Sequence, residues 1–195
     1  KGPIISSDPL RMLRAFRFAA TLNFEIDTNT LTSISLNRTK LKESASERIW
    51  HELTLFLKTP DTFPLLKIMH DCGLLDYILP TSNEAFVQYQ KVESLLQHPE
   101  KTFPEHANKF GSKNFLNKHY LVKLSALLMM QNPMSDMHPK KENTKDYNLQ
   151  FSNAEKQLIK LAISGAKSLA QIYLSEEFNK NYELIQNLHE EILAS

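Results

Sequence analysis

With 195 residues, 42% of them hydrophobic, the chain can bury a sizeable core as one large domain or two small ones. Its 23 Lys and Arg against 22 Asp and Glu leave a net charge of +1, which excludes a global basic field, so any nucleic-acid contact must rest on local patches. The single cysteine, Cys72, excludes an internal disulfide framework and suits a reducing, cytoplasmic setting; neither a membrane-length apolar run nor a signal-peptide pattern occurs.

The pattern reads as helix throughout, so the expected fold class is all-α. The first helix opens at Asp8 and Pro9: aspartate suits an N-cap, and proline suits the first helical position, where its missing N–H has no partner to lose. Arg11, Arg14 and Arg17 step by three and fan over roughly 120° of that helix. Met12, Leu13, Phe16, Ala19 and Ala20 form the apolar stripe opposite. A second helix is expected from Asp27 or Thr28 to about Asn37, with Leu31 and Ile34 inward. A third opens at Ser44, whose spacing to Glu47 fits a capping box, and carries Ile49, Leu53, Phe56 and Leu57 at helical intervals. Trp50 reads as a core anchor. A helix from Asp61 tolerates Pro64 in its first turn, carries Leu65, Leu66, Ile68 and Met69, and stops at Gly73, beside which Cys72 reads as a small buried hydrophobe.

Beyond Pro80 a separate helical body is expected. Ser82 with Glu84 starts a helix to about Leu96; residues 98–114 read as a loop with at most a short helix; Leu116 to Gln131 is strongly apolar, with Leu121, Leu124, Leu127 and Leu128 directed to the core. Pro133 to Asn148 is polar and carries Lys140 and Lys141, which read as a solvated loop. Ser152 and Glu155 make a second capping box for a helix to about Tyr173, with Gly165 a candidate interruption, and Glu176 to Leu193 is the last helix.

The chemistry-bearing feature is the first helix. A carboxylate one turn from a guanidinium sets an acceptor pair beside a planar donor fork, able to bond the edge of a nucleobase as another base would, while further arginines can hold phosphates. The same spacing also describes an ordinary surface pair worth ~0.2–0.5 kcal/mol, and the residues alone leave both readings open.

Three stretches carry a resemblance. The run Asp8-Pro9-Leu10-Arg11-Met12-Leu13-Arg14-Ala15-Phe16-Arg17-Phe18, continuing to Asp27, resembles the start of the neck domain of class II nucleotidyltransferases, the CCA-adding tRNA nucleotidyltransferases and bacterial poly(A) polymerases. Ser46-Glu47-Arg48-Ile49-Trp50-His51-Glu52-Leu53 is similar to that family's second neck motif. Asp71-Cys72-Gly73-Leu74-Leu75-Asp76-Tyr77-Ile78-Leu79-Pro80 is similar to its neck-to-body passage. The resemblance is dense over residues 7–80 and thin afterwards. It implies a neck domain over residues 1–80 and a helical, RNA-contacting body over 81–195. It further implies that Asp8 and Arg11 face the base of an incoming ATP or CTP while Arg14 and Arg17 contact nucleotide or phosphate. Ser7 stands where the family usually has Glu, which bears on how Arg11 is oriented and on base preference.

Phosphoryl transfer needs metal-binding carboxylates and a triphosphate cradle, which relatives carry in an N-terminal head. This sequence has neither an Asp-x-Asp pair nor a glycine-rich loop, so the expectation is a neck-and-body fragment without catalytic residues, inactive alone, with Mg2+ belonging to a missing head domain. The expected partners are ATP or CTP and a tRNA or other RNA 3′ end, with no membrane. No metal site is expected either: His70-Asp71 is the only adjacent His-Asp pair, and His98, His106 and His119 lack ligand spacing. Tests would divide three readings: a tRNA CCA-adding enzyme, a poly(A) polymerase of the same architecture, and a helical binding module whose arginines serve only the fold.

Overall fold

The structure, a computed structural model, describes residues 8–79, 81–98, 113–128, 149 and 151–174, without the side chains of 113–117 and 165–174. The described residues form α-helices and short 3-10 segments, with no strand among them, as the all-α reading expects. The α-helices are α1 (Arg11–Leu22), α2 (Thr28–Asn37), α3 (Ser46–Leu57), α4 (Phe63–Asp71), α5 (Asn83–Gln97), α6 (Lys113–Leu128) and α7 (Asn153–Leu174); 3-10 turns occupy Arg38–Glu43 and Leu75–Tyr77.

Helix boundaries follow their caps. Asp27 Oδ1 accepts from the backbone N–H groups of Asn29 and Thr30 at 3.0 and 3.1 Å and so opens α2. Ser82 accepts from Ala85 N at 3.3 Å at the start of α5. At α7 the capping box closes in both directions: Glu155 N donates to Ser152 Oγ at 3.2 Å, and Ser152 N donates to Glu155 Oε2 at 2.8 Å. Helix α7 runs through Gly165 without interruption.

Two expected starts are corrected. The capping box at Ser44 does not form: α3 begins at Ser46 behind Ala45, which has no side chain to cap with. The cause lies upstream, where α2 tightens into the 3-10 turn and the Ser44 N–H is spent on Leu41 O at 3.0 Å. In α1 the carbonyls of Asp8 and Pro9, not the Asp8 carboxylate, bond the N–H groups of Arg11 and Met12 at 3.1 Å, and Leu10 is the N-cap. A third difference is that α6 starts at Lys113, inside the stretch read as a loop. Lys140, Lys141, His106 and the expected helix from Glu176 to Leu193 lie outside the described residues.

Gly73 ends α4 with φ +73°, the left-handed conformation a glycine adopts without strain. Gly73 N bonds His70 O at 2.7 Å and Leu74 N bonds Met69 O at 3.0 Å, the paired bonds of a Schellman motif. Cys72, half-buried beside it, donates to Met69 O at 3.3 Å, and burial pushes its thiol pKa up, which keeps it protonated.

The core is continuous along the described chain. Met12, Leu13 and Phe16 of α1 meet Ile49, Leu53, Phe56 and Leu57 of α3; Leu66 and Met69 of α4 meet Phe86 and Tyr89 of α5; Leu121, Leu124 and Leu127 of α6 join Ile159 and Ile163 of α7. Trp50 is a core anchor, 8% exposed, edge-on to Phe151 at 4.9 Å, its indole N–H donating to Glu155 Oε1 at 3.1 Å.

A sealed polar cluster ties α4, α5 and α6. Glu93 of α5 accepts through Oε1 from Thr62 N at 2.8 Å, Thr62 Oγ1 at 2.6 Å and Lys123 Nζ at 2.6 Å, and through Oε2 from Phe63 N at 2.8 Å. It thereby caps α4 from another helix. Burial pushes the Glu93 carboxyl pKa up, but the donors from Lys123 and Thr62 outweigh that and hold it below the usual range. Lys123 also donates to Thr59 O at 2.9 Å, and Tyr89 shares a 2.5 Å hydrogen bond with Thr62.

Candidate functional site

Helix α1 is held by its apolar stripe: Met12, Leu13, Phe16 and Ala19 are buried against α3 and α4. That docking fixes where the opposite side chains emerge. Asp8 ends as the hub of the exposed end, its Oδ2 lying 3.8 Å from Arg11 Nε and 3.7 Å from Arg14 Nη1. These are ion-pair distances, longer than hydrogen bonds. The side chains of Arg11, Arg14 and Asp8 are 49%, 41% and 28% exposed, so this end of the helix is open to a ligand.

Arg14 and Arg17 are tied from below by Glu52, which the sequence reading did not single out. Arg14 Nε donates to Glu52 Oε1 at 2.9 Å and Arg17 Nε to Glu52 Oε2 at 2.8 Å. Glu52 lies in the apolar stripe of α3, between Ile49 and Phe56 at helical spacing, and its side chain is only 7% exposed. A carboxylate in such a stripe needs cationic partners, and that was the available signal. Burial pushes its pKa up, but the hydrogen bonds and charges of Arg14 and Arg17 prevail and hold it below the usual range. The same hydrogen bond with Glu52, with the Glu52 and Asp8 charges, holds the Arg14 proton more firmly still.

The result is a ladder of alternating sign, Arg11–Asp8–Arg14–Glu52–Arg17, running from solvent into the α1–α3 seam. Three cations against two anions leave one positive charge in excess. The exposed end offers carboxylate acceptors and guanidinium donors side by side, the pairing a nucleobase edge presents, and the excess charge favours a phosphate. All four residues named from the sequence therefore share one face, but Arg17 differs from the rest: it is 20% exposed, bonded to Glu52, with its guanidinium carbon 4.1 Å from the Phe18 ring centre. His70 and Asp71 diverge. His70 Nδ1 lies 3.6 Å from Asp76 and its ring packs on Phe86, while Asp71 is exposed. Among the described residues no three His, Cys, Asp or Glu side chains converge as metal ligands do.

The fold and this ladder define the class, an α-helical module with an arginine–carboxylate ladder along its first helix. Parts of the chain are similar to CCA-adding enzymes and to a polymerase A family. Residues 23–86 match the family described as "Probable RNA and SrmB-binding site of polymerase A". The multifunctional CCA protein of Neisseria meningitidis serogroup C is 33% identical over 104 residues, 51% of this chain and 24% of that protein. The CCA-adding enzyme of Buchnera aphidicola subsp. Acyrthosiphon pisum is 32% identical over 120 residues, 59% of this chain and 25% of the relative. The chain thus spans about a quarter of the length of the curated relatives it matches. A solved CCA-adding enzyme in complex with CTP superposes with a TM-score of 0.58 at 18% identity, covering 86% of this chain and 37% of the other, a likeness of fold. No described helix is long and apolar enough to cross a membrane.

Proposed function

We propose that this chain is the base-reading and RNA-supporting part of an RNA 3′-end nucleotidyltransferase of the tRNA CCA-adding kind. Asp8 and Arg11 read the base of an incoming ATP or CTP, Arg14 and Arg17 meet its phosphates, and the helices beyond α4 support the RNA. The observation that carries the reading is the open end of the ladder: an acid within 4 Å of each of two arginines, at the start of a helix whose other face is locked into the core. The relatives named as CCA proteins and the fold shared with an enzyme bound to CTP support it. The Mg2+-dependent transfer step is assigned to no residue of this chain.

A poly(A) polymerase is the second reading, favoured by the description of the family matched over residues 23–86. The test for base reading is a competition between ATP and CTP for incorporation by the full-length protein. Arg11→Ala is expected to cost ~1.5–3 kcal/mol of discrimination, the loss of a charge-assisted base contact, or roughly a tenfold to hundredfold change in nucleotide preference. Selectivity retained in both Arg11→Ala and Asp8→Ala would overturn the reading and leave the arginines to the fold. Run with a tRNA ending before CCA and with an unstructured RNA, the same assay separates the two substrates.

A further inference from the structure

Glu52 is the one member of the ladder that comes from outside α1 and its lead-in, and the ligand-facing residues do not explain why it is there. Its place between Ile49, Leu53 and Phe56 on α3 would pack a hydrophobe well. The carboxylate instead takes one Nε–H from each of two arginines, one on each oxygen, at 2.9 and 2.8 Å. A guanidinium has five N–H donors in a rigid plane. Spending the Nε–H on Glu52 fixes that plane while leaving both terminal nitrogens of each arginine for other partners, of which Arg14 Nη1 already lies 3.7 Å from Asp8. The bite of a single carboxylate also keeps two like charges side by side, an arrangement their mutual repulsion would otherwise splay apart.

We propose that Glu52 is a positioning residue for nucleotide binding: it holds the guanidinium groups of Arg14 and Arg17 as a fixed pair whose outward edges receive the phosphates of the nucleoside triphosphate. The inference rests on the reading that Arg14 and Arg17 meet those phosphates. It differs from two simpler roles, a charge that merely offsets the arginines and a contact that merely joins α1 to α3, and the three give different signs.

The experiment is Glu52→Gln in the full-length protein, with KM and kcat for ATP and for CTP and the thermal midpoint. The amide keeps the shape, but only its oxygen can accept; its NH2 faces the second arginine's N–H, so one guanidinium is released. Positioning predicts a rise in triphosphate KM of roughly tenfold with kcat little changed and the ATP-to-CTP preference kept, because Asp8 and Arg11 are untouched. A charge-offset role predicts the reverse, a lower KM, since the site gains a positive charge. A joining role predicts a lower thermal midpoint with KM unchanged below it. Glu52→Asp, which keeps the charge but shortens the reach, should also raise KM, and carries the test if the Gln variant does not fold. A fallen or unchanged KM overturns the proposal. Arg14→Ala separates it from the underlying reading: if that variant leaves KM unchanged, the phosphate contact itself is wrong, whereas a raised KM there with an unchanged KM in Glu52→Gln sinks Glu52 alone.

Discussion

The molecule uses the same chemistry in two places with opposite exposure. Along α1, its three arginines and the carboxylates of Asp8 and Glu52 make a ladder with one end in solvent and one charge left over. Between α4, α5 and α6, Glu93 and Lys123 are 3% and 2% exposed and every stated contact is at hydrogen-bond distance. The sealed cluster is saturated: the Glu93 oxygens take four donors from Thr62, Phe63 and Lys123, and the Lys123 ammonium is shared among Glu93, Thr59 and Thr62. The ladder is loose where it is open, with Asp8 at ion-pair distance from both its arginines, and tight only where Glu52 is buried. A buried pair that satisfies itself can fix a fold and nothing more. A pair with spare donors facing water is the kind that can meet a ligand.

Breaking the sealed cluster should produce the largest effect on stability. Lys123→Met leaves the Glu93 carboxylate buried without its cation, and such a change costs ~3–5 kcal/mol, a large part of a typical domain's stability. Replacing both ends with hydrophobes is often neutral for buried pairs, but it should not be here, because Glu93 also caps the Thr62 and Phe63 N–H groups at the start of α4. Urea unfolding of the Lys123→Met single variant and of the double variant checks both statements. In the full-length protein, the triphosphate KM of Lys123→Met, measured where the variant is folded, should stay at the parent value. A shift in KM would mean that the two regions are coupled and the contrast between them is false.

That contrast also marks what was legible beforehand. Residues 11, 14 and 17 step by three along α1 and Asp8 lies one step before them, so their common side follows from local geometry. Caps whose side chains bond their own helix, at Asp27, Ser82 and Ser152, were equally local. Glu52 and Lys123 were not, although both broke an otherwise apolar stripe, Glu52 among Ile49, Leu53 and Phe56, and Lys123 between Leu121 and Leu124. The break announces a buried charge, but its partner lies 35 to 38 residues away in one case and 30 in the other, and only the packing of helices selects it. Ser44 failed for a related reason: the 3-10 turn ahead of it consumed the residue before α3 could use it.

Arg38 offers an intermediate case and a smaller effect. Its guanidinium bonds through Nη1 to the Ser35 carbonyl and lies against Gly73. A Cβ at Gly73 would meet Arg38 Nε at 3.0 Å and Cδ at 3.1 Å and would also have to accept φ +73°. Gly73→Ala should therefore cost about 1–2 kcal/mol, chiefly from the left-handed backbone. Gly73→Ala combined with Arg38→Ala should recover only the part due to crowding, and full recovery would show the steric contact to be the main cost.

Acid should separate the two regions by the smallest margin. Glu52 and Glu93 are both held below the ordinary 4.5 of a glutamate, so as pH falls the unfolded chain takes up protons before the folded one. The stability each contributes is therefore whole above pH 4.5 and drains away as pH falls through the lowered folded value. At Glu52 that contribution is discounted because Arg14 is 41% exposed and screened by solvent. The gap in urea midpoint between the parent and Glu52→Gln should narrow on going from about pH 6 to about pH 3, and narrow again in roughly 1 M salt at neutral pH. The gap for Lys123→Met should hold in salt, since no water reaches that pair to screen it. If salt closes both gaps equally, the cluster at Glu93 is wetter than its burial indicates, and the distinction between a sealed pair and an open ladder loses its physical basis.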